Sequence, residues 1–322
     1  MRKWLLILAW LGCTFLLLIS LNFFSPQQLD NKYFRIHRGE SAYRISQRLA
    51  AADIIRSRSV FYWLTRLSGK AKYLSYGLYH FDGELNSFSI LKKIEQGRVQ
   101  LRRITIPEGL PLQKTFALLS EENFGDYARF DSLSHDPALI KELTGFELNS
   151  LEGFIYPETY FFPEEAAERY ILETMVNQYF AQTENLDFSG TNKLDYYQTL
   201  ILASIVEREA KVSDEKSLIA SVYLNRLEID MKLQADPTVA YCLEKIGKKR
   251  KKIYYKDLKI DSPYNTYLYK GLPPTPICSP SQSAIVAVLN PDETDYLYFF
   301  ASGGGKHTFS QTYSQHLSRQ RK

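Results

Sequence analysis

Two glutamates stand where a carboxyl group is costly. Leu200-Ile201-Leu202-Ala203-Ser204-Ile205-Val206 is nearly all apolar, and Glu207 and Glu209 follow it directly. A helix that is apolar on every side is buried. Glutamates are rarely buried unless they are paired or functional. Desolvation disfavours the charged form and raises the pKa, and a carboxylic acid still protonated near neutrality can protonate a glycosidic oxygen. The same two residues would serve equally as structural ion-pair partners of Arg208 or Arg226. Periodicity does not choose between them: Glu207 shares a side with Ala203 and Leu200, Glu209 with Ile205 and Leu202.

Other chemistries find no support. Gly303-Gly304-Gly305-Lys306-His307 is no phosphate loop, because His307 stands where Ser or Thr is needed and Phe300 where the first Gly belongs. There is no Gly-x-Ser-x-Gly elbow and no metal motif. Cys242 and Cys278 lack metal-ligand spacing, and the five histidines do not cluster with them. They are expected as free, partly buried thiols, although an oxidising compartment would let them pair.

The elements that must position the glutamates are legible as periodicities. The spacing predicts a helix from about Asp195 to Lys211 and a second from about Asp214 to Glu228, the latter with Leu218, Ile219, Val222, Tyr223 and Leu227 as its buried stripe. Tyr296 to Ala301 and His307 to Ser310 are expected as strands joined by a glycine turn. Upstream, Phe34 to Gly39 alternates and turns before an amphipathic helix, and Ile104 to Gly109 repeats that strand-then-glycine design. Gly77 to Phe81 is expected as a strand, followed by a helix through Ile90, Leu91 and Ile94 that stops at Gly97. The expected class is α+β, with 31 to about 100 as a small binding or spacing module.

The compartment is set by the first residues. Trp4 to Phe24 is 21 residues without a charge, close to the roughly 20 that a helix needs to cross a bilayer. Arg2 and Lys3 precede it, and no basic residue occurs from Ser25 to Asn31. This bias predicts a cytoplasmic N-terminus, with everything after about residue 26 outside. A cleaved signal peptide would have a shorter apolar core and a small-x-small site, which Leu21 to Pro26 does not offer. The expectation is an uncleaved single-pass anchor over 1–25. The net charge of +4 and the composition, 45% hydrophobic and 24% charged, describe a folded protein and give no ground for nucleic-acid binding. The one strong basic run, Lys248 to Lys252, is expected at a solvated loop tip.

Several stretches together resemble the MltG/YceG-like endolytic murein transglycosylase family. They are Ala203 to Ala210, Ile219 to Leu227, Met231 to Val239, Tyr264 to Tyr267 and Gly271 to Ile277. Thr105 to Gly109, Leu151 to Gly153, the Tyr296 to Phe299 strand and His307 to Phe309 complete the set. They occur in family order and cover nearly all of the chain after the anchor. The chain departs from the family after Ile277, where an asparagine-proline-glycine turn is replaced by Cys278-Ser279-Pro280-Ser281.

The resemblance implies a LysM-like subdomain over 26–100 and a catalytic domain over 101–322. It places the catalytic acid on Glu207, the first glutamate of its motif. It implies cleavage of the MurNAc–GlcNAc β-1,4 bond within nascent glycan strands, leaving 1,6-anhydro-MurNAc ends and ending strand elongation. Glu152, Glu209, Asn225, Gln234, Asp236, Thr238, Asn265, Thr266 and His307 lie in the matching motifs and become candidate substrate-binding residues. Turn formation or helix capping would equally explain Asp236, Thr238, Asn265 and Thr266. The implied setting is the inner membrane with a periplasmic body. The implied partners are glycan strands and peptidoglycan synthases, with no cofactor. A non-catalytic cell-wall scaffold is the rival expectation.

Overall fold

The computed structural model describes residue 10 and residues 25–37, 39–97, 101–163, 166–189, 193–248 and 252–320. Apart from Trp10, the apolar run 4–24 lies outside the described residues, as do Lys249 to Lys251 of the basic run. Among the described residues no helix is long and apolar enough to cross a membrane. The chain is an α+β protein of two compact units, residues 1–103 with 161–165, and residues 104–160 with 166–322.

The first unit is built on one antiparallel pair, β1 (Gln27–Ile36) and β2 (Gly77–Leu85). Register pairs Phe34 with Tyr79, and a bulge interrupts the ladder between Leu29 and Lys32. Helices α1 (Ala42–Ala51) and α2 (Arg58–Leu67) lie between the strands in sequence, and α3 (Ser87–Glu95) follows β2. Each starts at a side chain that accepts an otherwise unpaired backbone N–H: Ser41 from Arg44, Ser57 from Val60, and Asn86 from Ser89. Leu29, Phe34, Ile45, Leu49, Phe61, Tyr79, Phe81, Ile90 and Ile94 form the core.

Strand β3 (Leu101–Thr105) pairs with a later strand, β4 below, and the unit boundary runs through that ribbon. The second unit continues with α4 (Leu112–Glu121), α5 (Tyr127–Ser134), α6 (Pro137–Thr144), β4 (Thr159–Pro163) and α7 (Glu168–Thr183). Then come α8 (Tyr196–Glu209), α9 (Lys216–Glu228), α10 (Asp236–Lys245) and α11 (Gln282–Leu289). An antiparallel hairpin, β5 (Tyr298–Gly303) and β6 (Lys306–Ser310), and α12 (Tyr313–Gln320) close the chain.

Helix α8 is the central element of this unit. Asp195 caps it in a reciprocal box with Gln198, and every residue from Thr199 to Val206 is buried. That all-round burial is what its uniformly apolar sequence requires, and α9, α10 and α11 all pack on it. The predicted second helix is divided at its start: Ser213–Glu215 is a 3₁₀ turn and α9 proper begins at Lys216.

Candidate active site

The last turn of α8 carries Glu207 to the edge of the buried layer. Three features surround it. The first is the segment after Pro276. Ser204, inside α8, accepts from the Ile277 N–H at 2.9 Å, and the Cys278 thiol donates to the Ser204 carbonyl. These bonds fasten residues 277–278 along the helix and deliver Ser281 to its end. The Ser281 N–H donates to Glu207 Oε2 at 3.0 Å, and the Ser281 hydroxyl donates to the same oxygen.

The second feature is Lys216, the first residue of α9. Its Nζ lies 3.0 Å from Glu207 Oε2 and 2.9 Å from both the Ser281 and Ser283 hydroxyls. Both charged side chains are 7% exposed. The third is the turn at Gly109, where φ is +70° and a Cβ would sit 3.8 Å from Cγ of Glu207. The Gly109 N–H donates to the Ser279 carbonyl, and the Ser279 N–H to the Leu110 carbonyl.

Oε2 of Glu207 therefore accepts three donors, while Oε1 accepts none among the described residues. This corrects one expectation. Glu207 is not held in greasy surroundings. An ammonium and a serine bind one of its oxygens. Neither predicted arginine partners it. Arg208 forks onto Glu244 at 3.0 and 3.2 Å, and Arg226 donates to the carbonyls of Leu297 and Leu233.

Desolvation dominates at Glu209 instead. Burial pushes its carboxyl up to about 7, with the Asp236 charge adding to the rise; the Tyr223 hydroxyl and Arg226 oppose it. Its Oε2 is buried without a hydrogen bond. Asp236, exposed at the start of α10, accepts from the Tyr267 hydroxyl at 2.6 Å. Gln234 is exposed next to it, with φ at +48°. Glu209, Asp236, Tyr223 and Tyr267 are thus one cluster.

The remaining candidates have partners within the fold. Glu152 is 3% exposed. It accepts from the Leu112 N–H at 3.1 Å and the Tyr241 hydroxyl at 3.0 Å. It thereby caps α4, whose own N-cap, Pro111, has no side-chain acceptor. Burial pushes its carboxyl up to about 7, against those two hydrogen bonds and the nearby Lys245 and Arg208 charges. Thr238 and Thr266 are buried and share a hydrogen bond at 2.9 Å. Asn265, fully buried, donates to the Leu258 and Ile260 carbonyls. Asn225 donates to the Thr294 and Tyr296 carbonyls. His307 meets Glu215 twice, through its backbone N–H and through Nδ1 at 2.8 Å, and so ties β6 to the turn before α9. Cys242 and Cys278 are free, buried thiols, and among the described residues no acidic, cysteine and histidine group could hold a metal.

Sequence reasoning missed Lys216, Ser281 and Ser283. The departure from the asparagine-proline-glycine turn was the one available signal for Ser281, since it marked that loop as particular to this chain.

The chain has a solved structural counterpart. A YceG-like protein of Listeria monocytogenes matches with a TM-score of 0.60 and 30% identity, covering 90% of this chain and all of that one. The fold class is thus that of a mixed α+β YceG-like protein. The family model described as YceG-like matches residues 34–322, and the chain belongs to that family. Curated relatives include an endolytic murein transglycosylase of Bacillus subtilis, 33% identical over 90% of this chain and 85% of that protein. The endolytic murein transglycosylase of Streptococcus pneumoniae is 28% identical over 83% of this chain, which spans about half (53%) of it.

Proposed function

We propose that the protein cuts peptidoglycan strands internally at the MurNAc–GlcNAc β-1,4 bond, with Glu207 as the acid and then the base. That the chain is a lytic transglycosylase follows from its family and its relatives. The observation that carries the residue assignment is the asymmetry of the Glu207 carboxyl, with Oε2 saturated by protein donors and Oε1 left without any.

In this reading Oε1 bears the proton. It is donated to the bridging oxygen as the glycosidic bond breaks, and the leaving GlcNAc departs as an alcohol. The carboxylate left behind is stabilised at Oε2 by Lys216 and Ser281. Oε1 then takes the proton of the MurNAc 6-hydroxyl as that oxygen closes on the anomeric carbon. The product is a 1,6-anhydro end, and Glu207 has its proton back, so one carboxyl completes both halves. A hydrolase needs a second carboxylate to act as nucleophile or to activate water. Among the described residues no second carboxylate is hydrogen-bonded or ion-paired within the group of Glu207, Lys216, Ser281 and Ser283. Asp236 and Gln234, exposed beside Glu209, remain the candidates for contacting sugar.

The run Trp4–Phe24 anchors the enzyme in the inner membrane, and residues 26–100 form a LysM-like module outside it. Its cuts end the growth of nascent strands made by neighbouring synthases. Mass spectrometry of purified strands digested with the full chain tests the reaction. The expected product is an anhydro terminus, and a reducing terminus refutes transglycosylation. Glu207→Gln should leave the strands intact.

A further inference from the structure

The N-terminal unit carries a surface that this chemistry does not use. From Ile54 to Tyr76 the sequence holds Arg56, Arg58, Arg66, Lys70 and Lys72 and no acidic residue. The same stretch leaves Trp63, Leu67, Tyr73 and Tyr76 more than half exposed. On α2 the buried side is Phe61 and Thr65. Ser59, Trp63, Arg66 and Leu67 recur at helical spacing on the outer side.

The cations are held at this surface rather than neutralised. Lys70 pairs with Glu95. Among the described residues Arg56, Arg58, Arg66 and Lys72 meet no carboxylate. Arg58 lies over the Tyr43 ring at 5.3 Å, Lys72 over the Tyr73 ring at 5.1 Å, and Arg66 donates to the Tyr62 hydroxyl at 2.8 Å.

A second, independent observation is where the chain enters the unit. The Pro26 carbonyl accepts from Arg56 at 2.9 Å, and the Gln27 side chain donates to the Ile54 carbonyl. Phe24, the last residue of the apolar run, is two residues before Pro26, a reach of about 7 Å at most. The beginning of the patch is therefore fastened within a headgroup layer's depth of the end of that run.

We propose that this basic, aromatic face rests in the headgroup layer of an anionic phospholipid bilayer. Tryptophan and tyrosine are enriched at that depth. Leu67 adds apolar area that can enter the acyl boundary. Arginine and lysine lay their stems along the apolar side while their charged heads reach phosphate. Four cations that meet no carboxylate among the described residues match lipid phosphates better than a neutral sugar face. This inference rests on the reading of Trp4–Phe24 as a membrane segment, and the experiment separates the two.

Two single-tryptophan versions of the full chain keep either Trp63 (Trp4→Phe, Trp10→Phe) or Trp10 (Trp4→Phe, Trp63→Phe). Each is reconstituted in vesicles of equal parts brominated phosphatidylcholine and phosphatidylglycerol. Trp63 should lose roughly half of its emission and shift to the blue, as an interfacial indole does. High salt, or brominated phosphatidylcholine alone, should largely restore Trp63 while leaving Trp10 quenched. Quenched Trp10 with unquenched Trp63 overturns the proposal and leaves the anchor standing. Unquenched Trp10 sinks the anchor. Shielding of Trp63 from aqueous iodide only after glycan strands are added reassigns the face to glycan and also overturns the proposal.

Discussion

Glu207 and Glu209 sit two residues apart at the end of one helix and are held in opposite ways. Glu207 has a lysine and a serine on one oxygen. Glu209 has a buried oxygen with no hydrogen bond and is driven toward its neutral form. Position along a helix thus says little about the state of a carboxyl. What decides it is which distant segment covers that side of the turn. For Glu207 it is the start of α9 and the loop at 279–283. For Glu209 it is Tyr223 on α9, with the Asp236 charge at the start of α10 nearby.

The sharpest way to break this contrast is to neutralise each carboxyl. Glu207→Gln should lower strand cleavage by about a thousandfold or more with little change in melting temperature. Glu209→Gln should lower it by no more than about tenfold at pH 6, where a carboxyl raised to about 7 is already mostly protonated. Equal losses in the two variants would end the distinction.

Lys216→Met tests the ammonium at Oε2. A drop of about a hundredfold is expected in kcat on purified strands. Lys216→Arg, which keeps a cation at that place, should recover most of it, and equal losses in the two variants would make Lys216 merely structural.

Gly153→Ala tests the support behind the loop. Gly153 has φ +94°, and a Cβ there would stand 2.6 Å from Pro276 Cγ. The cost should be about 1–3 kcal/mol, read as a lower denaturant midpoint, with activity falling alongside as residues 277–281 shift.

Stability should also depend on pH. Glu152 and Glu209 have folded values of about 7, above the ordinary 4.5. The folded state therefore holds more protons than the unfolded one between those values. Stability should fall as pH rises from about 4.5 to just above 7, by roughly 3 kcal/mol for each group at most. In Glu209→Gln part of that slope should vanish, measured by denaturant unfolding at pH 5 and pH 8.

Much of the scaffold was legible because it is local. The apolar run 200–206 announced a buried helix, Asp195 its start, and the two short strand patterns either side of the triple glycine the β5–β6 hairpin. The break at Lys216 was not legible, because Ser213–Glu215 continues the helical pattern while Glu215 turns aside to hold His307. The site was only half legible. Family resemblance pointed to Glu207, yet its surroundings were misread as apolar, because Lys216 and Ser281 come from 9 and 74 residues away. The cap that Glu152 supplies to α4 was illegible for a similar reason, because α4 starts 40 residues earlier.

The reciprocal main-chain bonds between Gly109–Leu110 and Ser279 act as a clasp that is blind to side chains. Amides and carbonyls close it whatever side chain stands at position 279, proline excepted, which has no N–H to donate. Side chains along 278–281 can therefore be exchanged without the two segments of the clasp parting. The side chain that matters in that stretch is Ser281, whose hydroxyl reaches the acid.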